Sequence, residues 1–377
     1  MKLSELETPR LILERGKLEQ NVRTMREHMG RLGVPLRPHG KTAKCIDVIR
    51  LALEGQPGGI TVSTLKEAEY YFGHGIKDLL YAVGIAPVKL DHIAKLRKEG
   101  AEITIILDSM EQAQVAATYG KKHDETFPVL IELDSDGHRS GLTPADPELI
   151  GIGRFLHDTK GVELKGVLTH AGGSYGAKAI DEIKKAAVQE RDVAVACAQL
   201  LRAAGLPCPV VSVGSTPTAT YAEDLAGVTE VRAGVYMFFD LVMAGLGVCA
   251  IEDMAISVLT SVIGYQKKKG WVITDAGWMA MSRDRGTSRQ TTDQGYGIVC
   301  SVDGTPIPDY IVDSTNQEHG IIVRRDGGAM DFNRFPIGSL LRILPNHACA
   351  TATMHDRYHV VNRTDDVIDV WQRVHGW

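Results

Sequence analysis

Three groups of residues in this chain have the types and spacing to do chemistry. The first is Arg37-Pro38-His39-Gly40-Lys41-Thr42-Ala43-Lys44, which delivers Lys41 from a Pro-His turn among other cations. Neighbouring positive charge and partial burial lower the pKa of an amine and keep it nucleophilic. The same residues also read as a basic surface turn. The second group is a pair of small-residue turns, Gly214-Ser215-Thr216-Pro217-Thr218 and Ala233-Gly234-Val235-Tyr236. Glycine admits close backbone approach, and successive N–H and hydroxyl groups suit the oxygens of a phosphate. The third is Pro345-Asn346-His347-Ala348-Cys349-Ala350-Thr351. His347 and Cys349, two apart, can reach one metal ion, and an imidazole–thiolate pair favours zinc. A buried cysteine beside a structural histidine is the alternative. His319, His355 and His359 are further candidate ligands; His39, His123 and His138 read as solvated or structural.

A lysine, a phosphate cup and an arginine together suggest pyridoxal phosphate, whose aldehyde condenses with an amine and whose ring acts as an electron sink. Arg139, in Asp134-Ser135-Asp136-Gly137-His138-Arg139-Ser140-Gly141, either approaches the phenolic oxygen of that ring or pairs with Asp134 or Asp136. His170, in Thr169-His170-Ala171-Gly172-Gly173-Ser174-Tyr175, either lies against the ring face or is a satisfied loop histidine. Lys44 reads as a charge partner of Lys41, and Lys66 and Glu67 as a helix surface.

The elements that must position these groups alternate. Residues 10–14 read as a strand and Lys17 to Gly33 as a helix, with Leu18, Val22, Met25, Met29 and Leu32 on one face. Strands are then predicted at 34–37, 59–62, 79–83, 103–107, 129–133, 164–168, 210–213 and 229–232. Helical stretches such as 43–53, 65–72, 88–98, 110–119 and 181–204 lie between them. About eight strand–helix units in roughly 210 residues is the count expected of a TIM barrel. A doubly wound open sheet is the alternative, and the glycine-rich dinucleotide loop that usually marks it is missing. Lys41 and the loops carrying Arg139, His170, Ser215 and Gly234 each follow a predicted strand, which puts them on the catalytic face of a barrel. After about residue 250 short β-rich runs separated by Gly, Asp and Pro indicate a second, all-β domain. The expected division is a barrel over 17–245 and a β-rich domain over 1–16 and 246–377 carrying the metal site.

Composition is ordinary for a globular protein: 44% hydrophobic and 24% charged in 377 residues. A net charge of -5 without a basic run argues against nucleic acid. No signal-peptide pattern or bilayer-length apolar segment is found, so a cytoplasmic location and no membrane partner are expected. The six cysteines show no framework spacing and suit reduced thiols.

The motifs at 37–44, Gly59–Glu69, Asp136–Gly141, Gly214–Thr218, Arg232–Tyr236 and Pro345–Cys349, with Glu7-Thr8-Pro9, resemble the D-serine dehydratase / D-threonine aldolase family of fold-type III pyridoxal phosphate enzymes, related to alanine racemase. The resemblance runs over essentially the whole chain. It implies that Lys41 carries the cofactor, that Ser215, Thr216, Gly234, Val235 and Tyr236 surround its phosphate, and that His347 and Cys349 bind a divalent metal, with zinc expected and Mn, Co or Mg as alternatives. Tyr175 is the expected partner of the pyridine nitrogen. A homodimer and a small D-configured β-hydroxy amino acid substrate are implied too. Family aldolases carry His-x-Asp where this chain has His347-x-Cys349, the form of the dehydratases. The expected reaction is therefore dehydration to a 2-oxo acid and ammonia, with aldol cleavage to glycine and an aldehyde as the alternative and Arg283, Arg285 and Gln317 as candidate side-chain readers.

Overall fold

The computed structural model describes all residues, Met1–Trp377. The chain divides into two compact units, one of Met1–Arg23 with Val235–Arg373 and the other of Thr24–Gly234 with Val374–Trp377. It begins with β1 (Arg10–Glu14), which belongs to the first unit.

The second unit is a parallel barrel. Its strands are β2 (Leu36–Pro38), β3 (Ile60–Val62), β4 (Asp78–Gly84), β5 (Glu102–Leu107), β6 (Phe127–Leu133), β7 (Val162–Thr169), β8 (Val210–Val213) and β9 (Glu230–Ala233). They pair in sequence order from β3 to β9, and β9 pairs with β2. A bridge between His39 and Thr61, with the Gly40 N–H donating to the Thr61 carbonyl at 2.7 Å, joins the end of β2 to β3 and closes the ring. Closure excludes the open sheet. The strands lie between an interior and a shell of helices, so they read as apolar runs rather than alternations: all of β3 is buried, and Leu80, Ile106, Leu130 and Leu168 from four successive strands form one packed cluster. The helix Ile180–Ala203 buries Ile183, Ala187, Ala194, Cys197 and Leu201 at helical spacing, and Glu190 lies on the same stripe.

The first unit is antiparallel. Its further strands are β10 (Ile256–Gln266), β11 (Trp271–Thr274), β12 (Gly297–Cys300), β13 (Pro306–Thr315), β14 (Gly320–Arg324), β15 (Leu340–Pro345), β16 (Arg357–Val361) and β17 (Asp369–Gln372). Long β10 is the hinge of the arrangement. Its first half pairs with β1, its second half pairs with β11 across an irregularity at Val262/Gly264, and its other edge pairs with β15. The ring β10-β11-β14-β13-β12-β15 thereby closes on itself, and β1, β16 and β17 extend from it. A buried ion pair, Arg342 to Glu14 at 2.7 Å, links β15 to β1.

The barrel and the all-β part expected from the sequence are both present. The helix expected to begin at residue 43 starts only at Ile46, because Lys44 sits at φ +48, outside the helical region. No helix is long and apolar enough to cross a membrane, and no disulfide joins any of the six cysteines.

Candidate active site

In the barrel, Lys41 follows β2 on a turn fixed from several sides. The Gly40 carbonyl accepts from the Lys44 N–H at 2.8 Å and from the Tyr71 hydroxyl at 3.1 Å. The Lys44 carbonyl accepts from the Val374 N–H at 2.8 Å, and the Lys44 ammonium lies 3.1 Å from the Glu67 carboxylate. Glu67 is therefore no surface residue: it is only 1% exposed, and its other oxygen accepts the Ser63 N–H at 2.8 Å. The sequence pattern hides this because Lys66 beside it is exposed and Glu69 half-buried. The Lys41 side chain is exposed at the mouth of this turn.

Around it the barrel gathers positive charge. Arg232, at the end of β9, is fully buried and donates to the Ser212 hydroxyl and the Thr169 carbonyl, each at 2.6 Å. Burial pulls its pKa down to about 10. Ser212 in turn donates to Glu230, which pairs with Arg37, which forks onto Asp78. His39, expected to be solvated or structural, is pushed well below its ordinary pKa, first by burial and then by Lys41 and Arg232. Burial likewise takes His170 down to about 3, with Lys41, Arg232 and Arg139 adding to the effect, so its ring is neutral at pH 7. Its Nδ1 lies 2.9 Å from the Gly214 carbonyl, which can only accept; the proton is on Nδ1 and Nε2 is a bare acceptor.

The small-residue loops are closely packed. A Cβ on Gly214 would lie 2.1 Å from the Arg232 carbonyl, and one on Gly234 would lie 2.7 Å from the Thr42 hydroxyl on the lysine turn. The loop after β9 therefore rests directly against the turn carrying Lys41, a cradle that side chains would fill. Ser215 caps the helix Thr216–Tyr221: its hydroxyl accepts the Thr218 N–H at 3.2 Å and lies 3.0 Å from the Ser174 hydroxyl, while its N–H donates to Thr218. Thr216, the first residue of that helix, is buried beside it. Val235 and Tyr236 are buried in the 3-10 turn that begins the other unit's second segment. Tyr175 lies near His170, ring centroids 6.1 Å apart. Arg139 pairs with Glu132 at 3.3 Å rather than with Asp134 or Asp136, which instead cap their own turn and, through Asp136, hold the Gly173 N–H at 2.7 Å. A lysine on the turn after β2, a tight glycine cradle and a neutral imidazole together fit pyridoxal phosphate.

In the β unit, His347 and Cys349 stand where β15 turns into the helix Ala348–Thr353. His347 Nδ1 bonds the Asp284 carboxylate at 2.6 Å, and the Cys349 sulfur interacts with the same imidazole. Burial opposes the proton on His347, but Asp284 and Cys349 outweigh it and hold its pKa up at about 11. With Nδ1 on a carboxylate, Nε2 is the ring atom that would be offered to a cation, and outer carboxylates orient metal-binding histidines in this way. Buried Asp240 fixes the turn by accepting the Met243 and Ala348 N–H groups, each at 2.9 Å, and Asn346 ties it to Thr287 and Gly295. No group of three or more His, Cys, Asp or Glu converges on one point. His355 bonds the Ala280 carbonyl, His359 is buried and His319 is exposed. The donor set therefore fits a divalent cation held by two protein ligands and completed by exchangeable oxygen ligands. Of the proposed readers, Arg285 is paired with Asp293 and stacked on Tyr296, and Arg283 lies over Trp278.

Sequence reasoning missed Glu190, Arg232's role, Asp240 and Asp284. Glu190 was findable as a carboxylate on the apolar stripe of its helix. Asp284 carries no local signal, since His347 lies 63 residues along the chain; Asp240 shows locally only as the cap of the helix Leu241–Gly245, and its contact to Ala348 spans 108 residues.

Comparisons with known proteins agree with this geometry. Residues 13–242 match the alanine racemase N-terminal domain and residues 255–361 the putative serine dehydratase domain. D-threo-3-hydroxyaspartate dehydratase of Delftia sp. (strain HT23) is 52% identical over 100% of this chain and 99% of its own length. D-serine dehydratase of Dictyostelium discoideum is 30% identical over 100% and 98%. The solved Delftia enzyme superposes with a TM-score of 0.97, covering 100% of both chains. Variants of that enzyme have been solved in which a histidine, or a cysteine two positions further on, is replaced by alanine, the latter in a metal-free form. This chain belongs to the alanine racemase-like, fold-type III pyridoxal phosphate family of D-serine dehydratases and D-threonine aldolases, and it is a lyase.

Proposed function

We propose that the enzyme dehydrates D-configured β-hydroxy amino acids, D-threo-3-hydroxyaspartate foremost, to a 2-oxo acid and ammonia. The observation that carries this reading is His347 and Cys349 on one turn, with the imidazole oriented by Asp284. Hydroxide is a poor leaving group, and a Lewis acid at the β-oxygen is what elimination requires. The 52% identical dehydratase supports the reading, as does the same His-x-Cys spacing in its solved variants.

In this reading Lys41 holds the cofactor and Lys41 Nζ then accepts the α-proton of the substrate. Thr216, Gly234, Val235 and Tyr236 bind the phosphate, with Ser215 organising the loop as its helix cap. Arg139, His170 and Tyr175 serve the ring, Tyr175 at the pyridine nitrogen. His347 and Cys349 hold the cation, zinc by donor chemistry. When bound, pyridoxal phosphate takes up the electron pair left at Cα and the cation polarises the β-hydroxyl. Water leaves from Cβ, and the released enamine hydrolyses to the 2-oxo acid and ammonia. The reading includes the division into a barrel over 17–245 and a β-rich domain over the remainder, a cytoplasmic location and a homodimer, which sedimentation tests.

Incubation with D-threo-3-hydroxyaspartate, D-serine and D-threonine, scoring 2-oxo acid against glycine, decides the reaction. Dominant 2-oxo acid is expected. Glycine and an aldehyde as the main products would replace dehydration by aldol cleavage. Lys41→Ala is expected to abolish turnover and the cofactor's absorbance; turnover in that variant would remove Lys41 from its role.

A further inference from the structure

Glu190 belongs to no motif and lies one layer behind the loops. It is 2% exposed, on the inner stripe of the helix Ile180–Ala203. One carboxylate oxygen accepts two backbone N–H groups from two different loops: Ala171, after β7, at 2.8 Å and Gly214, after β8, at 3.0 Å. The other accepts the Thr218 hydroxyl at 2.7 Å. Ala171 immediately follows His170, and the carbonyl of Gly214 receives the His170 Nδ1 proton at 2.9 Å. Both backbone attachments of the His170 ring therefore pass through one side chain.

The hydroxyls extend the same connection. Ser174 donates to the Ala171 carbonyl at 2.7 Å, and Ser215 lies 3.0 Å from Ser174 and 2.9 Å from Thr218. The two ends of this chain, a carbonyl and a carboxylate, can only accept, so the Ser174 and Thr218 protons point outward to them. Gly214 stands at φ +137, where a Cβ would lie 2.1 Å from the Arg232 carbonyl, so only glycine fits at this loop position.

We propose that Glu190 is a positioning residue: by binding the N–H groups of Ala171 and Gly214 together, it holds the Gly214 carbonyl on His170 Nδ1 and so keeps Nε2 of His170 as the lone-pair face of the site. The inference rests on the proposed placing of His170 beside the cofactor. It explains why a carboxylate is tolerated behind an anion cradle. Burial pushes its pKa up, and the Thr218 hydroxyl, the Ala171 and Gly214 N–H groups and, least, the Arg232 charge act in the opposite direction.

The test is 15N NMR of the His170 ring in the holoenzyme, assigned with His170→Gln, in wild type, Glu190→Gln and Glu190→Asp, with thermal unfolding alongside. Glutamine keeps an oxygen for both N–H groups and is expected to retain the single Nδ1–H tautomer. Aspartate keeps the charge but withdraws the acceptor by one methylene, and is expected to give a mixture of tautomers. A folded Glu190→Asp protein with His170 wholly in the Nδ1–H form overturns the proposal. So does loss of that form in Glu190→Gln, the pattern of a residue needed for its charge. If Glu190→Asp does not fold, Glu190→Gln decides alone. The readout is independent of turnover: an enzyme that makes no 2-oxo acid but shows this pattern would refute the proposed reaction and leave the positioning role standing.

Discussion

Replacing Glu67 by glutamine removes the one negative charge beside the Lys44 ammonium. The pair is buried, with 14% of the Lys44 side chain and 1% of Glu67 exposed, and Nζ lies 3.1 Å from the carboxylate. The approach is an ionic contact rather than an aligned hydrogen bond. Glutamine preserves the acceptor for the Ser63 N–H, so the perturbation is confined to the charge. Breaking a buried ion pair by removing one partner costs about 3–5 kcal/mol, because the survivor is left uncompensated. The unaligned contact and the partial opening of Lys44 put Glu67→Gln at the lower end, about 3 kcal/mol, or roughly a 150-fold fall in the folded-to-unfolded ratio. Adding Lys44→Met removes the stranded charge while keeping the stem volume, and should bring stability back to within about 1 kcal/mol of wild type. Urea unfolding of the wild type, both single variants and the double variant measures the cycle. A Glu67→Gln cost below about 1 kcal/mol, or a double variant no better than Glu67→Gln, would refute the reasoning. The consequence for function is direct, since Lys44 closes the turn that presents Lys41.

Gly214→Ala should destabilise by at least about 2 kcal/mol, since the site combines a left-handed backbone with a Cβ position 2.1 Å from the Arg232 carbonyl; thermal unfolding measures it. His170 is held neutral to about pH 3, and His39 is also depressed, by burial first. Below the unfolded value near 6.5, the unfolded chain binds protons that the native barrel refuses. Stability should therefore fall as pH drops from about 6.5 toward 3, by up to about 1.4 kcal/mol per pH unit per histidine, and His170→Gln should flatten the slope by about one proton. Metal content by elemental analysis should be lost in His347→Ala and in Cys349→Ala. Asp284→Asn should lower metal affinity by about 10–100-fold, because it removes the carboxylate that orients the imidazole.

Much of the scaffold was legible. The eight barrel strands were expected within about three residues of where they lie, because strands buried on both faces form apolar runs punctuated by Gly, Pro and Asp. β16 and β17 were not read: β17 is four residues long with only Trp371 buried, too little for an alternation to show. The helix Glu148–Asp158 lies outside the helices predicted from the sequence, although it buries Leu149, Ile152 and Leu156 at helical spacing. The site residues that belong to motifs were visible, because small residues and cations after strands stand out against an apolar background. Their supporting residues were not, because a buried carboxylate resembles an exposed one until its partners are known. Glu67 illustrates the error, flanked as it is by exposed Lys66 and half-buried Glu69.

The sequence by itself determined the barrel, the all-β part, the lysine turn, the glycine cradle and the His-x-Cys pair, since each follows from local composition or short spacing. Only the tertiary structure decided the states of these groups. The tautomer of His170 depends on Gly214, 44 residues away, and the orientation of His347 on Asp284, 63 residues away. Hydrogen-bond direction and the energy of a buried charge are set by atoms within a few ångströms in space, whatever their separation along the chain.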